Sequence, residues 1–244
     1  MKSDFKINNN VSAHLIIPDD TEKPLPALIF VHGWESSKKG NVKRSEEISK
    51  NGFICLSIDL RGHGESEGTL KQFSRQDHLE DIKSAYKYIT ELKEVDQNKI
   101  GIVGASYGGY LAAVAVNYLK FDSLVLRVPA LYFDDNFNVS TSKLINGDPK
   151  AFKTSNLTPE KSLALKGIKN FPGDILIIES ENDTVIPHAV IENYLETIED
   201  KRRLTYKVMK NTPHALETET QEKEYVQILS EWLDIKNNTL EVEV

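Results

Sequence analysis

The chain has 244 residues, 39% of them hydrophobic, enough to bury one sizeable core and too few to call for a second full domain. With 37 acidic against 30 basic side chains and a net charge of −7, it lacks the basic footprint of a nucleic-acid partner. A single cysteine, Cys55, excludes an internal disulfide framework and a cysteine metal site, and its place in the run FICLSIDL reads as a small buried hydrophobe.

MKSDFKINNN lacks the apolar stretch of a secretory signal, and no window reaches the length of a membrane span, so a soluble cytoplasmic protein is expected. DFKIN and VSAHLIIP read as two strands joined by a turn at Asn8, Asn9 and Asn10. Six mostly continuous apolar runs follow, at 27–33, 53–60, 99–106, 123–130, 173–180 and 204–210, the pattern of strands buried on both faces. Helical spacing lies between most of them. One helix opens on a capping box at Ser74 and carries Leu79, Ile82, Tyr86, Ile89 and Leu92. A second starts near Pro187, and a third carries Tyr225, Ile228, Leu229, Trp232 and Leu233 before a polar tail, KNNTLEVEV, expected to fray. This alternation predicts a mostly parallel sheet with helices on both faces and ligand sites beyond the carboxyl ends of the strands. The rhythm breaks once: the segment 131–170, within the single domain 1–244, is too long for an ordinary connection and reads as a small cap.

Chemistry concentrates at strand ends. Gly104 to Gly109, GASYGG, stands between the run KIGIVGAS and the helical pattern YLAAVAVNYL, a context in which a sharp turn would lift Ser106 out of the sheet as a nucleophile. A serine hydroxyl needs a base, and after Ser106 only His188 and His214 are available. His214, in NTPHAL after the last strand, is preferred; His188 reads as a helix-terminal residue. The acid should leave the strand GDILIIES, where Asp183 in the following loop is preferred over Glu181, with Glu179 still inside the strand. Asp183 could also cap the helix near Pro187. The main-chain N–H groups of Trp34, in HGWE, and of Tyr107 are the expected donors to an oxyanion. His32, Arg61 and His63 read as loop-bracing residues. In the cap, Tyr132, Phe133, Phe137 and Phe152 are the expected contacts to the apolar part of a substrate.

The set HGW, DLRGHGES, GASYGG, ENDTVIP and NTPH, in this order, resembles the α/β-hydrolase superfamily. DLRGHGES with a short cap looks like small esterases related to feruloyl and cinnamoyl esterases and like serine aminopeptidase-like hydrolases, and GASYGG also resembles the prolyl oligopeptidase family. The absence of an N-terminal propeller departs from that last family and lowers the peptidase reading. Ser in place of the Cys of dienelactone hydrolases argues against that activity. The resemblance implies a three-layer fold with eight strands, the second antiparallel, and no metal or organic cofactor. The activity so expected is hydrolysis of a small-molecule carboxylic ester through an acyl-enzyme. A peptidase, thioesterase or acyltransferase on the same residues is the alternative, and a non-catalytic binding protein is the rival from another class. An aminopeptidase would need a carboxylate for the substrate ammonium, for which Asp134, Asp135 and Glu181 are candidates. Oligomeric state is not legible in the sequence.

Overall fold

A computed structural model describes residues 1–19, 23–144 and 151–240, with side chains as far as residue 235. Eight strands form one sheet in the order β1-β2-β4-β3-β5-β6-β7-β8. β1 (Lys2–Ile7) and β2 (Val11–Ile16) are the opening hairpin, with Asn8 and Asn9 at positive φ in its turn. β2 runs antiparallel to both neighbours, and every other pairing is parallel: β3 (Leu25–Val31), β4 (Ile54–Ile58), β5 (Val95–Ala105), β6 (Ser123–Arg127), β7 (Asp174–Ser180) and β8 (Leu204–Met209). The eight strands and the antiparallel second strand agree with the fold implied by the motifs.

Both faces are covered. α1 (Lys39–Ser49) and α6 (Glu219–Leu240) bury Ile48, Tyr225, Leu229, Trp232 and Leu233 against one face of the sheet. α2 (Arg75–Thr90), α3 (Tyr107–Ala115), α4 (Leu163–Asn170) and α5 (His188–Thr197) cover the other, where the larger cluster includes Leu79, Leu111, Leu165 and Ile191. The capping box of α2 forms: the Asp77 N–H donates to Ser74 Oγ at 3.2 Å, and the Ser74 N–H donates to the Asp77 carboxylate at 2.8 Å. Cys55 is fully buried, and desolvation holds its thiol far above the usual range.

Several features depart from the sequence reading, among them β5, which starts at Val95 and not at Lys99. β6 stops at Arg127 and not at Ala130, because Val128 adopts φ +40° and Pro129 cannot donate to a ladder. The backbone of α6 stays helical to Leu240, through most of the tail expected to fray. Within 131–170, α4 packs on α3 so closely that Gly167 leaves no room for a Cβ beside the Ala113 carbonyl, which makes the end of that segment part of the main core. The rest of the segment carries two short 3-10 turns, Thr141–Lys143 and Pro159–Lys161; Ile145, one of its apolar residues, lies outside the described residues.

Candidate active site

Ser106 stands between β5 and α3 at φ +53° and ψ −117°, a region that L-residues rarely enter. Its surroundings hold it there. Its N–H donates to the Arg127 carbonyl at 2.9 Å, and its own carbonyl accepts from the N–H of Ala130 at 3.0 Å and of Tyr110 at 3.1 Å. The turn closes only because residues 104 and 108 are glycine: a Cβ at Gly108 would collide with the carbonyls of Val31 and His32, and one at Gly104 with the backbone of Gly108.

The three residues that sequence order selects come together across 108 positions of chain. His214 Nε2 lies 3.0 Å from Ser106 Oγ, and His214 Nδ1 lies 2.7 Å from Asp183 Oδ2. The Asp183 side chain is 2% exposed and that of His214 24%. Asp183 spends its other oxygen locally, with Oδ1 accepting from the N–H groups of Val185 and Ile186 at 2.8 Å each. These donors precede α5, whose N-cap is Pro187 with no side-chain cap, so Asp183 stabilises the turn and not the helix terminus. The alternatives point elsewhere. Glu181 is tied to Lys210 Nζ at 2.7 Å and to the Asn211 N–H at 2.9 Å. His188 opens α5, 59% exposed, with Nδ1 at 3.0 Å from Glu179, which also accepts from the Tyr206 hydroxyl.

Gly33 packs against Ser106: a Cβ built on it would sit 3.4 Å from the Ser106 Cβ, so the main chain of the HGWE loop passes beside the serine. Among the described residues, neither the Trp34 nor the Tyr107 N–H donates to a protein acceptor. His32 braces this loop. Its buried Nε2 accepts from the Leu60 N–H at 3.1 Å, which leaves Nδ1 to carry the proton and donate to the Gly33 carbonyl at 2.7 Å. Desolvation lowers its pKa to about 4, so the ring is neutral.

The loop from Asp59 to Ser66 braces the same region. Lys38, 4% exposed, donates through Nζ to Asp59 at 3.0 Å, to Glu65 at 2.6 Å and to Ser12 at 2.9 Å, while its N–H donates to the other Asp59 oxygen at 2.6 Å. Arg61 turns away to pair with Asp81. Burial raises the Asp81 pKa to about 6 against the pull of that guanidinium. His63 packs on the rings of His32, Trp34 and His78. His78, wholly buried, receives the Tyr107 hydroxyl at Nδ1, 2.8 Å away, and donates from Nε2 to the Arg61 carbonyl at 3.0 Å. Desolvation, reinforced by His63, lowers its pKa to about 3.

Of the four aromatic residues expected to meet a substrate, two are buried. Tyr132 is buried, 4.7 Å from the Tyr110 ring and 6.0 Å from that of Tyr107. Phe137 is buried under Arg75, whose guanidinium lies 5.4 Å from the ring centroid and donates to the carbonyls of Phe133 and Asp135. Phe133 and Phe152 meet edge to face at 5.1 Å, Phe133 being 41% exposed and Phe152 half-buried. Lys38, Arg75 and Arg127 brace these loops through contacts that the sequence does not announce. Only Arg127 left a signal, a charge inside the apolar run SLVLRVPA.

Among the described residues no cluster of His, Cys, Asp and Glu could hold a metal ion, and no helix is long and apolar enough to cross a membrane.

The sequence profile of the prolyl oligopeptidase family matches residues 42–239. The chain belongs to that family. The match covers the turn that carries Ser106 and the loops that carry Asp183 and His214. Among curated relatives, the chain is 32% identical over 132 residues to the quorum-quenching protein AidA of Acinetobacter baumannii, covering 53% of this chain and 42% of AidA. It is 23% identical over 222 residues to the putative esterase YitV of Bacillus subtilis, covering 82% of this chain and 87% of YitV. The chain thus spans less than half the length of AidA and most of that of YitV. Among solved structures, Est1E of Butyrivibrio proteoclasticus, bound to ferulic acid, superposes with a TM-score of 0.73 at 15% identity over 95% of this chain and 97% of Est1E, a likeness of α/β-hydrolase fold.

Proposed function

We propose that this α/β hydrolase is a serine hydrolase of carboxylic esters. The observation that carries the reading is the unbroken relay from Ser106 Oγ through His214 to Asp183, at 3.0 and 2.7 Å. His214 Nε2 takes the Ser106 proton as Oγ attacks the acyl carbon, and Asp183 fixes the tautomer by accepting from Nδ1. The tetrahedral oxyanion is received by the N–H groups of Trp34 and Tyr107. His214 then protonates the departing alkoxide, and water, deprotonated by the same nitrogen, clears the acyl-enzyme. The strain at Ser106 keeps Oγ raised above the strand end, where the acyl group must lie.

Two of the three carboxylates that could hold a substrate ammonium are already engaged. Asp134 accepts from the Leu163 N–H at 2.8 Å, and Glu181 is paired with Lys210. This favours esters over an aminopeptidase substrate, as does the name of YitV, the relative matched over most of its length. Membership of the prolyl oligopeptidase family favours the second reading, a peptidase on the same residues. A paired assay decides between them: p-nitrophenyl esters of two to eight acyl carbons against aminoacyl and prolyl p-nitroanilides, each with a Ser106→Ala control. Ester turnover lost in Ser106→Ala, with no anilide turnover above that control, is expected. Anilide turnover without ester turnover would assign a peptidase, and no difference between parent and Ser106→Ala on any substrate would leave a binding protein.

A further inference from the structure

Arg127 ends β6, is 5% exposed, and has no carboxylate within ion-pair distance among the described residues. Its Nη2 donates to the main-chain carbonyl of His214 at 2.9 Å and to Ser180 Oγ at 3.2 Å, while its buried Nε has no partner. The guanidinium lies 5.9 Å from the Tyr225 ring centroid, and Arg44, itself paired with Glu222, lies 5.3 Å from that ring. Burial lowers the Arg127 pKa to about 10, which still leaves it charged at neutral pH. An unpaired buried cation costs stability, so packing alone does not account for it. Its contacts do. The Arg127 carbonyl receives the Ser106 N–H, the strained Val128 turns the chain so that the Ala130 N–H reaches the Ser106 carbonyl, and the Arg127 side chain crosses to the loop that carries His214.

We propose that Arg127 is a positioning residue that sets the distance between Ser106 and His214, its main chain anchoring the nucleophile turn and its guanidinium anchoring the loop of the base. The inference rests on the Ser106–His214–Asp183 reading above. No other side chain donates to the His214 carbonyl among the described residues, so the loop loses its tether when the guanidinium goes. A displacement of about 1 Å at a reacting group is enough to cost on the order of a hundredfold in rate.

The test compares Arg127→Met and Arg127→Lys with the parent by the rate of fluorophosphonate labelling at Ser106, thermal melting, and the low-field proton resonance of the His214 Nδ1–H. Arg127→Met should fold with a melting temperature close to the parental one, because relief of the unpaired buried charge offsets the hydrogen bonds lost at the His214 carbonyl and Ser180 Oγ. It should label at least about tenfold more slowly and lose or broaden the His214 resonance. Arg127→Lys, which keeps a cation with N–H donors, should recover most of the rate and the resonance. Labelling of Arg127→Met within twofold of the parent, an unchanged resonance, a variant that does not fold, or no recovery with lysine would each overturn the proposal. If the parent does not label at Ser106, or if His214→Ala labels as fast as the parent, it is the underlying triad reading that fails instead.

Discussion

Replacing Asp183 by Asn tests the acid through geometry that the turn itself imposes. In the parent, Oδ1 accepts from Val185 and Ile186 while Oδ2 faces His214 Nδ1. An asparagine has one oxygen, and the two main-chain donors claim it, which turns the amide NH2 toward the imidazole. His214 must then accept at Nδ1 and carry its proton on Nε2, the nitrogen that has to take the proton of Ser106. A wrong tautomer of this kind costs about 10⁴ in kcat, or roughly 5.4 kcal/mol of transition-state stabilisation. Because the turn keeps both donors satisfied, the melting temperature should move by no more than about 3 °C. The assay is steady-state hydrolysis of a p-nitrophenyl ester beside Glu181→Gln, whose parent side chain sits in a solvent-exposed pair with Lys210 and should change the rate less than about threefold. Asp183→Asn retaining more than about a tenth of the parental kcat, or Glu181→Gln falling as far as Asp183→Asn, would refute the assignment.

Other expectations follow from the segment 131–170 and from the buried His78. Phe133→Ala or Phe152→Ala should shift the kcat/KM ratio between a short acetyl ester and a bulky aryl ester by about tenfold, the worth of one lost pocket contact; ratios within twofold in both would place the specificity pocket elsewhere. Phe137→Ala, made beneath Arg75, should leave that ratio alone and cost about 3–5 kcal/mol in denaturant unfolding, and a changed ratio at full stability would contradict its reading as a core residue. His78, with its pKa lowered from 6.5 to about 3, stays neutral in the folded chain while the unfolded chain takes up its proton, so its contribution is complete above pH 6.5 and is lost as pH falls from 6.5 toward 3. Between pH 6 and 4 the parent should therefore lose about 1.4 kcal/mol per pH unit more than His78→Gln does, and equal slopes, or a His78 resonance titrating near 6.5, would refute the burial argument.

The buried strands were legible because a parallel sheet covered on both faces writes itself as apolar runs, and β7 and β8 fall within a residue of the expected bounds. α1 was not legible as an element: of its buried residues, Asn41, Ser45 and Ile48, only one is apolar, so no hydrophobic stripe marks it. The early end of β6 depends on a valine at positive φ, which no local propensity favours. Ser106, His214 and Asp183 could be selected because chemistry restricts which residue types serve and chain order restricts where they stand. The residues that brace them act through contacts distant in sequence, such as the 87 positions between Arg127 and the His214 carbonyl, and the local sequence around Lys38 or Arg75 carries no mark of such a partner.

The most direct test of the central claim is to treat the protein with a fluorophosphonate and locate the adduct by mass spectrometry, in the parent and in His214→Ala. The relay at 3.0 and 2.7 Å predicts a single adduct on Ser106 that forms at least about a hundredfold more slowly without His214. An adduct on any other serine, no adduct, or labelling of Ser106 at the same rate in both proteins would contradict it.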